Sequence, residues 1–437
     1  MNRHLRICAV LVTLMLAAAG CGSSRPGGGA DAVPGVTADT IMIGSHQPLT
    51  GLASPGGNEL APAARAYFDY VNSQGGVHGR KIFFKYVDDA YNRGNSLSVV
   101  RELVEQDKVF AILDGFGTGP HEAVADYLNA RRVPDLFPVS GCPCWNDPIK
   151  RPYTFGWEPD YRREGKILGT YVAKAFAGKR IAYFYQDDDF GRSGVAGLDS
   201  VLPGASVVAR ESYKPRYNDI TRQMRAIAQA KADVIVAFSV PADTALLRLE
   251  QQRMHNSARV VASYAGSDPT TLSALLAATG PQSAVTGRGS PLIQGIITDA
   301  FLPPAADTAN SWTALMKQIH NRYLPNRPLN LYAQAGIATA YLFVQALQRA
   351  GKSPTRQSLV AALERGGLPG PGLTPLAYRR TSHAGLTGVQ IGVIKGDAIV
   401  LQGQPLITDD GSGPVTPYRA PQTKAPANGI PAPDTPS

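Results

Sequence analysis

Short apolar segments alternate with amphipathic helices along most of this chain, and this alternation restricts the possible folds more than any other feature. The helix at 60–73 shows the helical period clearly, since Ala64, Tyr67, Phe68 and Val71 recur every three or four positions. The first block consists of strands at 40–44, 81–89, 109–115 and 133–139, with helices at 60–73, near 95–104 and at 122–129. Strands that alternate with helices form parallel sheets covered by helices on both faces. The sequence therefore predicts an α/β fold.

A second block of the same kind follows the first. It consists of strands at 180–186, 206–213, 233–239 and 259–266, with helices at 164–176, 194–202, 220–231 and 243–255. A strand at 295–303, helices at 308–323, 333–350 and 355–366, and a strand pair at 388–402 complete the pattern. About 370 residues are too many for one ordinary core. We therefore expect two doubly wound parallel-sheet lobes with several chain crossings between them.

The first 20 residues are predicted to be a lipoprotein signal peptide. Arg3 and Arg6 precede an apolar run at 7–19, which is shorter than the roughly 20 residues that span a bilayer. The sequence Ala-Ala-Gly-Cys that follows resembles a bacterial lipobox, which implies cleavage before Cys21 and lipidation of Cys21. An ordinary signal peptide with an incidental cysteine is the alternative. We expect an exported protein, anchored to the outer face of the cell membrane through a flexible tether at 21–39.

The other end of the chain is rich in proline and poor in large apolar residues. Residues 409–437 offer too little apolar surface to fold by themselves, so this segment is predicted to be a disordered, proline-rich tail. The formal net charge of +9 is spread over the sequence without a basic helix. Nucleic-acid binding is therefore not expected.

Cys142 and Cys144 are the two cysteines outside the signal peptide and the lipid site. A local disulfide is plausible in an exported protein, while free thiols and a metal or redox role remain open. No histidine lies nearby in the sequence, so no metal site is predicted there.

The stretch "ILDGFGTGPHE" at 112–122 has the glycine-rich form of a loop that binds an anion at a helix N-terminus. A dinucleotide is disfavoured because the loop follows the third strand, and because Asp135, about 20 residues on, is not at a strand end. The sequence contains no nucleophile elbow and no Walker loop. The candidate calcium loop at 187–198 ends in Leu198, where a calcium loop has Glu. The histidines are isolated and lack the spacing of metal ligands. No enzyme activity and no cofactor are therefore predicted, which leaves the carboxylate of a small molecule as the expected anion.

Three stretches together carry a family resemblance: "IMIGSHQPLTG" at 41–51, "YVNSQGGVHGRKIFFKYVDDAYN" at 70–92 and "VVRELVEQDKVFAILDGFGTG" at 99–119. They resemble the type 1 periplasmic binding proteins, specifically the branched-chain amino-acid (Leu/Ile/Val) solute-binding family. The resemblance implies two lobes joined by a three-segment hinge that close on a ligand, in a monomer that delivers the ligand to an ABC permease. The lobe boundaries implied are 40–158 plus about 293–375 for lobe 1, and about 159–292 plus 376–405 for lobe 2.

The resemblance also implies ligand-binding positions. Gly117 and Thr118 match the family's carboxylate-binding loop, although Thr118 could instead be a helix N-cap. The second carboxylate-binding turn is implied to be Val139, Ser140 and Gly141. The second lobe is implied to contribute Phe190, Pro241, Tyr264 and Asp268. Trp157 departs from the family pattern and adds bulk near the cleft mouth, with lobe packing as its alternative.

One departure from the family pattern concerns the acid that binds the ligand's ammonium group. The sequence has Ala265 or Gly266 at that place, and Asp268 comes two or three residues later. Either Asp268 shifts into the site, or the ligand is not an α-amino acid, since a buried ammonium without an acidic partner is costly. The predicted function is a solute-binding lipoprotein for a branched-chain amino acid or a related small carboxylate. A ligand sensor for a membrane receptor and an exported enzyme are the alternatives.

Overall fold

The computed structural model describes residues 32–215, 219–279 and 289–432. The predicted signal peptide at 1–20, the lipidation site Cys21 and the tether as far as residue 31 lie outside the described residues. Within those ranges, no helix combines the length and the apolar character needed to cross a bilayer.

Strands and helices alternate as the sequence predicts. The strands are β1 (Thr40–Gln47), β2 (Lys81–Asp88), β3 (Ile112–Leu113), β4 (Asp135–Leu136), β5 (Thr154–Phe155), β6 (Ile181–Gln186), β7 (Val207–Tyr213), β8 (Val234–Phe238), β9 (Arg259–Ala262), β10 (Ile297–Ala300), β11 (Gly388–Lys395), β12 (Ala398–Leu401), β13 (Leu406–Ile407) and β14 (Thr416–Pro417). The helices are α1 (Ser54–Gly57), α2 (Leu60–Ser73), α3 (Arg93–Glu105), α4 (Thr118–Ala130), α5 (Tyr161–Ala175), α6 (Asp189–Asp199), α7 (Thr221–Gln229), α8 (Pro241–Arg253), α9 (Pro269–Thr279), α10 (Ser311–Tyr323), α11 (Leu331–Ala350) and α12 (Arg356–Glu364).

The two sheets share one strand order. In the described residues the first sheet is β2-β1-β3-β4-β5, with every pair parallel. The second sheet contains β7-β6-β8-β9-β10, again parallel and again in the order 2-1-3-4-5. Antiparallel strands β11 to β14 extend the second sheet beyond β10. The α/β prediction of two doubly wound lobes is confirmed, with the addition of this antiparallel extension.

The lobe boundary near residue 293 differs from the expected one. Strand β10 pairs with β9 and β11 in the second sheet, so the chain returns to the first lobe after Ala300 and not at 293. The reason is local. The strand "ITDA" at 297–300 is fully buried and extends the sheet next to β9, before the helices of the first lobe resume.

The helix α11 organises the core of the first lobe. It has 20 residues, and almost all of its side chains are buried. Its aromatic residues meet those of α2, with ring centroids 6.0 Å apart for Tyr67 and Tyr341 and 5.9 Å for Phe68 and Phe343. Asn330 caps the helix by accepting a hydrogen bond from the backbone N–H of Ala333, and this fixes the N-terminus of α11 at the edge of the cleft.

The proline-rich tail is ordered as far as the structure describes it, and the prediction of a disordered segment from 409 is wrong for 409–432. Strand β14 joins the second sheet, and the chain then runs onto the first lobe. There its carbonyl groups accept hydrogen bonds from the Trp312 indole, at Thr423, and from the hydroxyls of Tyr67 and Tyr70, at Gly429 and Asn428.

The tail orders because it needs no core of its own. Val415, Ala425 and Ile430 pack against the main hydrophobic cluster, and aromatic donors of the first lobe satisfy the tail's backbone carbonyls. The end of the predicted tether behaves in the same way, since Val33 and Val36 pack against that cluster. Composition measures what a segment can bury within itself, and both segments bury their apolar groups against an existing surface.

Candidate ligand-binding site

A cavity lies between the two lobes, at the carboxyl ends of strands from both sheets. In doubly wound sheets this edge is where ligands bind. The cavity is narrow, with a volume of about 40 Å³ measured as the space open to the centre of a water-sized sphere. The residues that line it are Tyr91, Phe116, Gly117, Thr118, Val139, Glu158, Tyr161, Phe190, Val240, Tyr264, Ala265, Phe301, Leu331, Tyr332 and Ala335. The cavity thus contains five of the ten predicted ligand-binding residues: Gly117, Thr118, Val139, Phe190 and Tyr264.

The β3–α4 loop forms the first-lobe side of the cavity. Gly117 has a φ of 88°, and a Cβ at this position would collide with the ring of Tyr91, so only glycine allows the loop to approach that ring. Thr118 begins α4, and its Oγ1 lies 2.7 Å from the Oγ of Ser140. Thr118 does not cap the helix through its side chain, because the N-cap residue is Gly117 and no side-chain cap bond is formed.

Ser140 and Gly141 support the cavity wall without lining it. Ser140 is buried and accepts a hydrogen bond from the backbone N–H of Cys142, at 3.2 Å. A Cβ at Gly141 would press on Pro159, Tyr161 and Tyr264. The carbonyl of Gly141 accepts a hydrogen bond from the Tyr161 N–H at 2.7 Å. The predicted second turn therefore positions Thr118 and two aromatic rings of the site.

The second lobe contributes aromatic residues from the loops after its strands. Phe190 lies in the first turn of α6, and its ring centroid is 4.5 Å from that of Tyr161. Tyr264 follows β9 and packs against Phe301, with ring centroids 4.8 Å apart. The cavity residue from the loop after β8 is Val240, and its neighbour Pro241, which was predicted to contact the ligand, instead begins α8.

The four tyrosine hydroxyls at the cavity are directed toward protein groups. Tyr332 donates a hydrogen bond to the carbonyl of Ala265, at 2.9 Å, across the cleft. Tyr264 lies 3.2 Å from both the Glu158 carboxyl and the Pro159 carbonyl. The other two phenols interact with side chains, Tyr91 with Gln186 and Tyr161 with Thr118. The tyrosines therefore present mainly their rings to a ligand.

Glu158 is the acidic residue of the cavity, and the sequence analysis did not identify it. It lies in the crossing between β5 and α5, is 8% exposed, and its Oε2 meets the Tyr264 hydroxyl. Burial raises the pKa of the Glu158 carboxyl to about 8, and the contact with Tyr264 offsets only part of that effect. No basic side chain occurs among the described residues that line the cavity. The described lining residues therefore give this carboxyl group no cationic partner.

Asp268 does not line the cavity, contrary to one of the two alternatives drawn from the sequence. One carboxylate oxygen accepts a hydrogen bond from the Thr271 N–H at 2.7 Å, and the other accepts one from the Leu331 N–H at 3.0 Å. Asp268 thus joins the N-termini of α9 and α11, one from each lobe. Its carboxylate is occupied by backbone donors, which is a capping role.

Trp157 also lies outside the cavity. Its side chain is 1% exposed and packs edge-to-face on Phe301, with ring centroids 5.3 Å apart. It borders a separate pocket on the hinge side, between residues 367–376 and the tail. The packing alternative stated for Trp157 matches this position.

A pair of buried carboxyls lies behind Tyr264. The backbone N–H of Tyr264 is 3.1 Å from both Glu164 Oε1 and Asp299 Oδ1. Burial, followed by the charge of Asp299, raises the pKa of Glu164 well above its usual range, and burial raises the pKa of Asp299 to about 7. Glu164 lies in the first turn of α5, after one crossing, and Asp299 lies next to the last residue of β10, before another crossing. The pair therefore links two hinge segments through Tyr264.

Charged side chains meet across the mouth of the cleft. Glu122 of α4 contacts Asp189 of α6. Arg93 donates a hydrogen bond to Glu122 at 3.0 Å, and Arg192 donates one to Asp189 at 2.7 Å. Partial burial, and then the neighbouring Asp189, raises the pKa of Glu122. The two lobes are therefore in polar contact at the rim of the cavity.

Cys142 and Cys144 form a disulfide, which agrees with the first of the three alternatives for this pair. Their sulfur atoms and the Glu122 carboxylate lie within 4.8 Å of one another. Bridged sulfurs do not supply the thiolates that a metal site of this kind needs.

Two of the histidines are linked in a buried chain beneath the β3–α4 loop. His46 Nδ1 lies 2.7 Å from Asp89, His46 Nε2 lies 2.9 Å from His121 Nδ1, and His121 Nε2 lies 2.9 Å from Asp135. All four side chains are fully buried. Burial lowers the pKa of His46, and the bond to Asp89 opposes this effect. The chain ties the ends of β1, β2 and β4 to α4 and so fixes the loop that carries Thr118.

Comparison with known proteins assigns the family. The model of the family described as "Periplasmic binding protein" matches residues 40–398. The chain belongs to this family. The match covers the first sheet and strands β6 to β11 of the second, and it ends where β12 begins. The family works with small-molecule ligands outside the cytoplasm, and the resemblance drawn from the sequence is confirmed.

Curated relatives of this periplasmic binding protein are amino-acid-binding proteins. The Leu/Ile/Val-binding protein homolog 3 of Brucella melitensis is 24% identical over 215 residues, which cover 47% of this chain and 56% of the relative. The amino acid binding protein of Pseudomonas aeruginosa is 23% identical over 153 residues, covering 35% of this chain and 40% of the relative. The matched part of the chain thus spans about half the length of these relatives.

Solved structures show the same fold over nearly their whole length. A branched-chain amino acid ABC transporter protein from Thermus thermophilus with bound valine has a TM-score of 0.73 at 20% identity, covering 85% of this chain and 98% of its own. A fatty acid ABC transporter substrate-binding protein from Thermomonospora curvata has a TM-score of 0.72 at 22% identity, covering 88% and 98%. These relatives and structures are binding proteins and not enzymes, in agreement with the prediction that no reaction is catalysed.

The cavity residues that the sequence analysis missed include the four with a hydroxyl or carboxyl group: Tyr91, Glu158, Tyr161 and Tyr332. Tyr91 follows "VDD" at the end of β2, and Glu158 and Tyr161 lie in the first crossing. Each of these three lies just after a strand of the first sheet, and the rule that ligands bind at carboxyl ends could have found them. Tyr332 carries no such signal, because it does not follow a strand and enters the site from the first turn of α11.

Proposed function

We propose that this protein is an extracytoplasmic solute-binding lipoprotein for an ABC importer. It captures a small carboxylate-bearing ligand, a branched-chain amino acid or a related compound, between its two lobes. The carrying observation is the cavity itself, which lies between the lobes and is lined by residues from both sheets. Ligand contacts to both lobes favour the closed arrangement, which is how binding energy drives closure in two-lobe proteins.

The ligand's carboxylate is proposed to bind at the β3–α4 loop. Thr118 offers a hydroxyl there, and α4 begins at this residue without a side-chain cap, so its first backbone N–H groups are directed toward the cavity end of the helix. Gly117 and Val139 form the adjoining wall, and Phe190 and Tyr264 cover the ligand from the second lobe. This arrangement supports the assignment of the loop's anion as a carboxylate.

Thermal denaturation of the purified protein with a panel of amino acids, amides, aromatic acids, fatty acids and short peptides tests this function. A ligand present at 100 times its Kd stabilises the folded protein by about 2.7 kcal/mol. We expect stabilisation by leucine, isoleucine or valine. Stabilisation by fatty acids alone would contradict the amino-acid class and retain the binding function. An unchanged melting temperature with every compound would contradict the proposal.

The membrane anchor is proposed to be a lipid on Cys21. Fractionation of cells that express the wild-type protein and Cys21→Ala tests it, with the wild-type protein expected in the membrane fraction and the variant released. Retention of the variant would mean that another segment provides the anchor. The delivery step is tested by crosslinking followed by copurification, in which ABC permease subunits are expected with the protein. Signalling that depends on the ligand and occurs without uptake would instead favour the sensor alternative.

A further inference from the structure

The cavity contains one ionisable carboxyl group and no basic side chain among its described lining residues. The Tyr264 hydroxyl contacts one oxygen of Glu158, and the described residues provide no other side-chain partner for this carboxyl. A buried carboxylate without a partner is costly, so such a group is either protonated or paired with a cation. A bound ligand with a positive charge would supply that partner.

The walls around Glu158 are suited to a cation as well. Seven of the fifteen lining residues are aromatic, and they come from both lobes. The faces of aromatic rings attract cations, and groups of such rings bind ammonium compounds. Because the tyrosine hydroxyls interact with Ala265, Glu158, Gln186 and Thr118, the rings themselves are left for the ligand.

We infer that the ligand carries a positively charged nitrogen, which Glu158 binds directly and the surrounding aromatic rings enclose. This inference rests on the proposed function and adds the charge class of the ligand. It assigns the role of the acid to a residue in the crossing between β5 and α5, while Asp268 keeps its role in capping α9 and α11. An acid at position 265 or 266 of the second lobe is then not needed to bind an ammonium group.

Proton release on binding follows from this arrangement. In the empty cavity burial raises the pKa of Glu158 to about 8, so the group is mostly protonated at neutral pH, and a bound cation favours its ionised form. The ionisable groups that face Glu158 or its partner Tyr264 are Asp114, Tyr161, Glu164, Tyr264, Asp299 and Tyr332. Uptake of a cationic ligand at pH 7 should therefore release close to one proton, which calorimetry detects as a dependence of the binding enthalpy on the buffer.

Four probes separate the charges of the ligand. They are leucine, isocaproate (leucine without its amine), isoamylamine (leucine without its carboxylate) and tetramethylammonium. We expect calorimetry and thermal denaturation of the full exported chain to show binding of leucine, weaker binding of isoamylamine and tetramethylammonium, and none of isocaproate. Binding of isocaproate as tight as that of leucine would overturn the inference and retain the proposed function. Absence of binding for all four probes would contradict the inference and the proposed amino-acid class together.

Two variants locate the acid. Glu158→Gln should weaken leucine binding by about 10- to 100-fold, the effect of losing a hydrogen bond to a charged group, and should abolish proton release. Asp268→Asn is the matched control, because it removes a buried carboxylate that caps helices and should leave proton release unchanged. Unchanged affinity in Glu158→Gln would refute the inference. Loss of affinity and proton release in Asp268→Asn alone would also refute it and would assign the acid's role to Asp268.

Discussion

Replacement of Glu158 by glutamine should stabilise the empty protein, and the gain should increase with pH. The pKa of Glu158 is about 8 in the folded protein, against an ordinary value of 4.5. The folded state therefore holds a proton that the unfolded chain has already lost at neutral pH. Stability from this group is fully present below about pH 4.5 and is lost as the pH rises through about 8. Glutamine has the shape of the protonated acid and does not ionise.

The size of this change in unfolding free energy follows from the difference between the folded and ordinary pKa values of Glu158. A change of one pKa unit corresponds to about 1.36 kcal/mol, so the full difference between the two protonation states is about 5 kcal/mol. Between pH 5 and pH 9 the wild-type protein should lose about 4 kcal/mol of unfolding free energy through Glu158 alone. Asp243 and Asp299, with pKa values of about 7, contribute to the wild-type pH profile in the same direction. Only the difference between wild type and variant isolates Glu158.

Urea unfolding of both proteins at several pH values between 5 and 9, at constant ionic strength and without ligand, measures this difference. Glu102→Gln, on the exposed surface of α3, controls for the chemical change itself. The wild-type and Glu158→Gln curves should nearly coincide at pH 5 and separate steadily above pH 6. A difference that is the same at pH 5 and pH 9 would refute the reasoning, because it would mean that Glu158 does not keep its proton in the folded protein.

Three other predictions concern the tail, the carboxylate loop and the cysteine pair. Removal of residues 422–437 should lower the unfolding free energy, measured by urea titration, by about 3 kcal/mol. The reason is that Trp312 and two buried tyrosines lose their hydrogen-bond acceptors, at about 1 kcal/mol each. Equal stability of the shortened chain would mean that the tail contacts do not stabilise the fold. Thr118→Ala should raise the ligand Kd by about tenfold in calorimetry with little effect on melting temperature, and unchanged affinity would remove Thr118 from the site. Reduction of the Cys142–Cys144 bond should increase the intact mass by about 2 Da, whereas an unchanged mass would mean free thiols.

The fold could be predicted from the sequence because its signal repeats. Each strand and helix of the two parallel sheets carries its own hydrophobic period, and their alternation predicts parallel sheets. The strand order was not predicted. The exceptions are instructive. The helix α4 begins at Thr118, four residues before the predicted start at Glu122, because its first turn is formed by "TGPH", which has little helical periodicity. Pro120 in that turn is compatible with a helix start, where its missing N–H costs nothing.

The site could be predicted in part, and mostly through the family resemblance. The glycine-rich loop by itself predicted an anion site, whereas the resemblance implied the individual cavity residues Thr118, Phe190 and Tyr264. The acid was missed because Glu158 lies in a crossing segment, between Trp157 and Pro159, with no periodicity around it. Which side of a crossing faces the cleft depends on the packing of both lobes, and a single sequence does not contain that information.

The position of Glu158 in a crossing segment has a consequence for closure. A charge on either lobe alone would bind a ligand before and after closure, whereas the cavity around Glu158 is completed by rings from both lobes. Pairing Glu158 with a cation removes the cost of its burial, and that cost exists only when the lobes enclose it. Since a ligand can shift a conformational equilibrium only by its difference in affinity for the two states, this acid converts ligand charge directly into a preference for the closed arrangement. The same burial that lowers the stability of the empty protein at high pH therefore gives a cationic ligand its influence on closure.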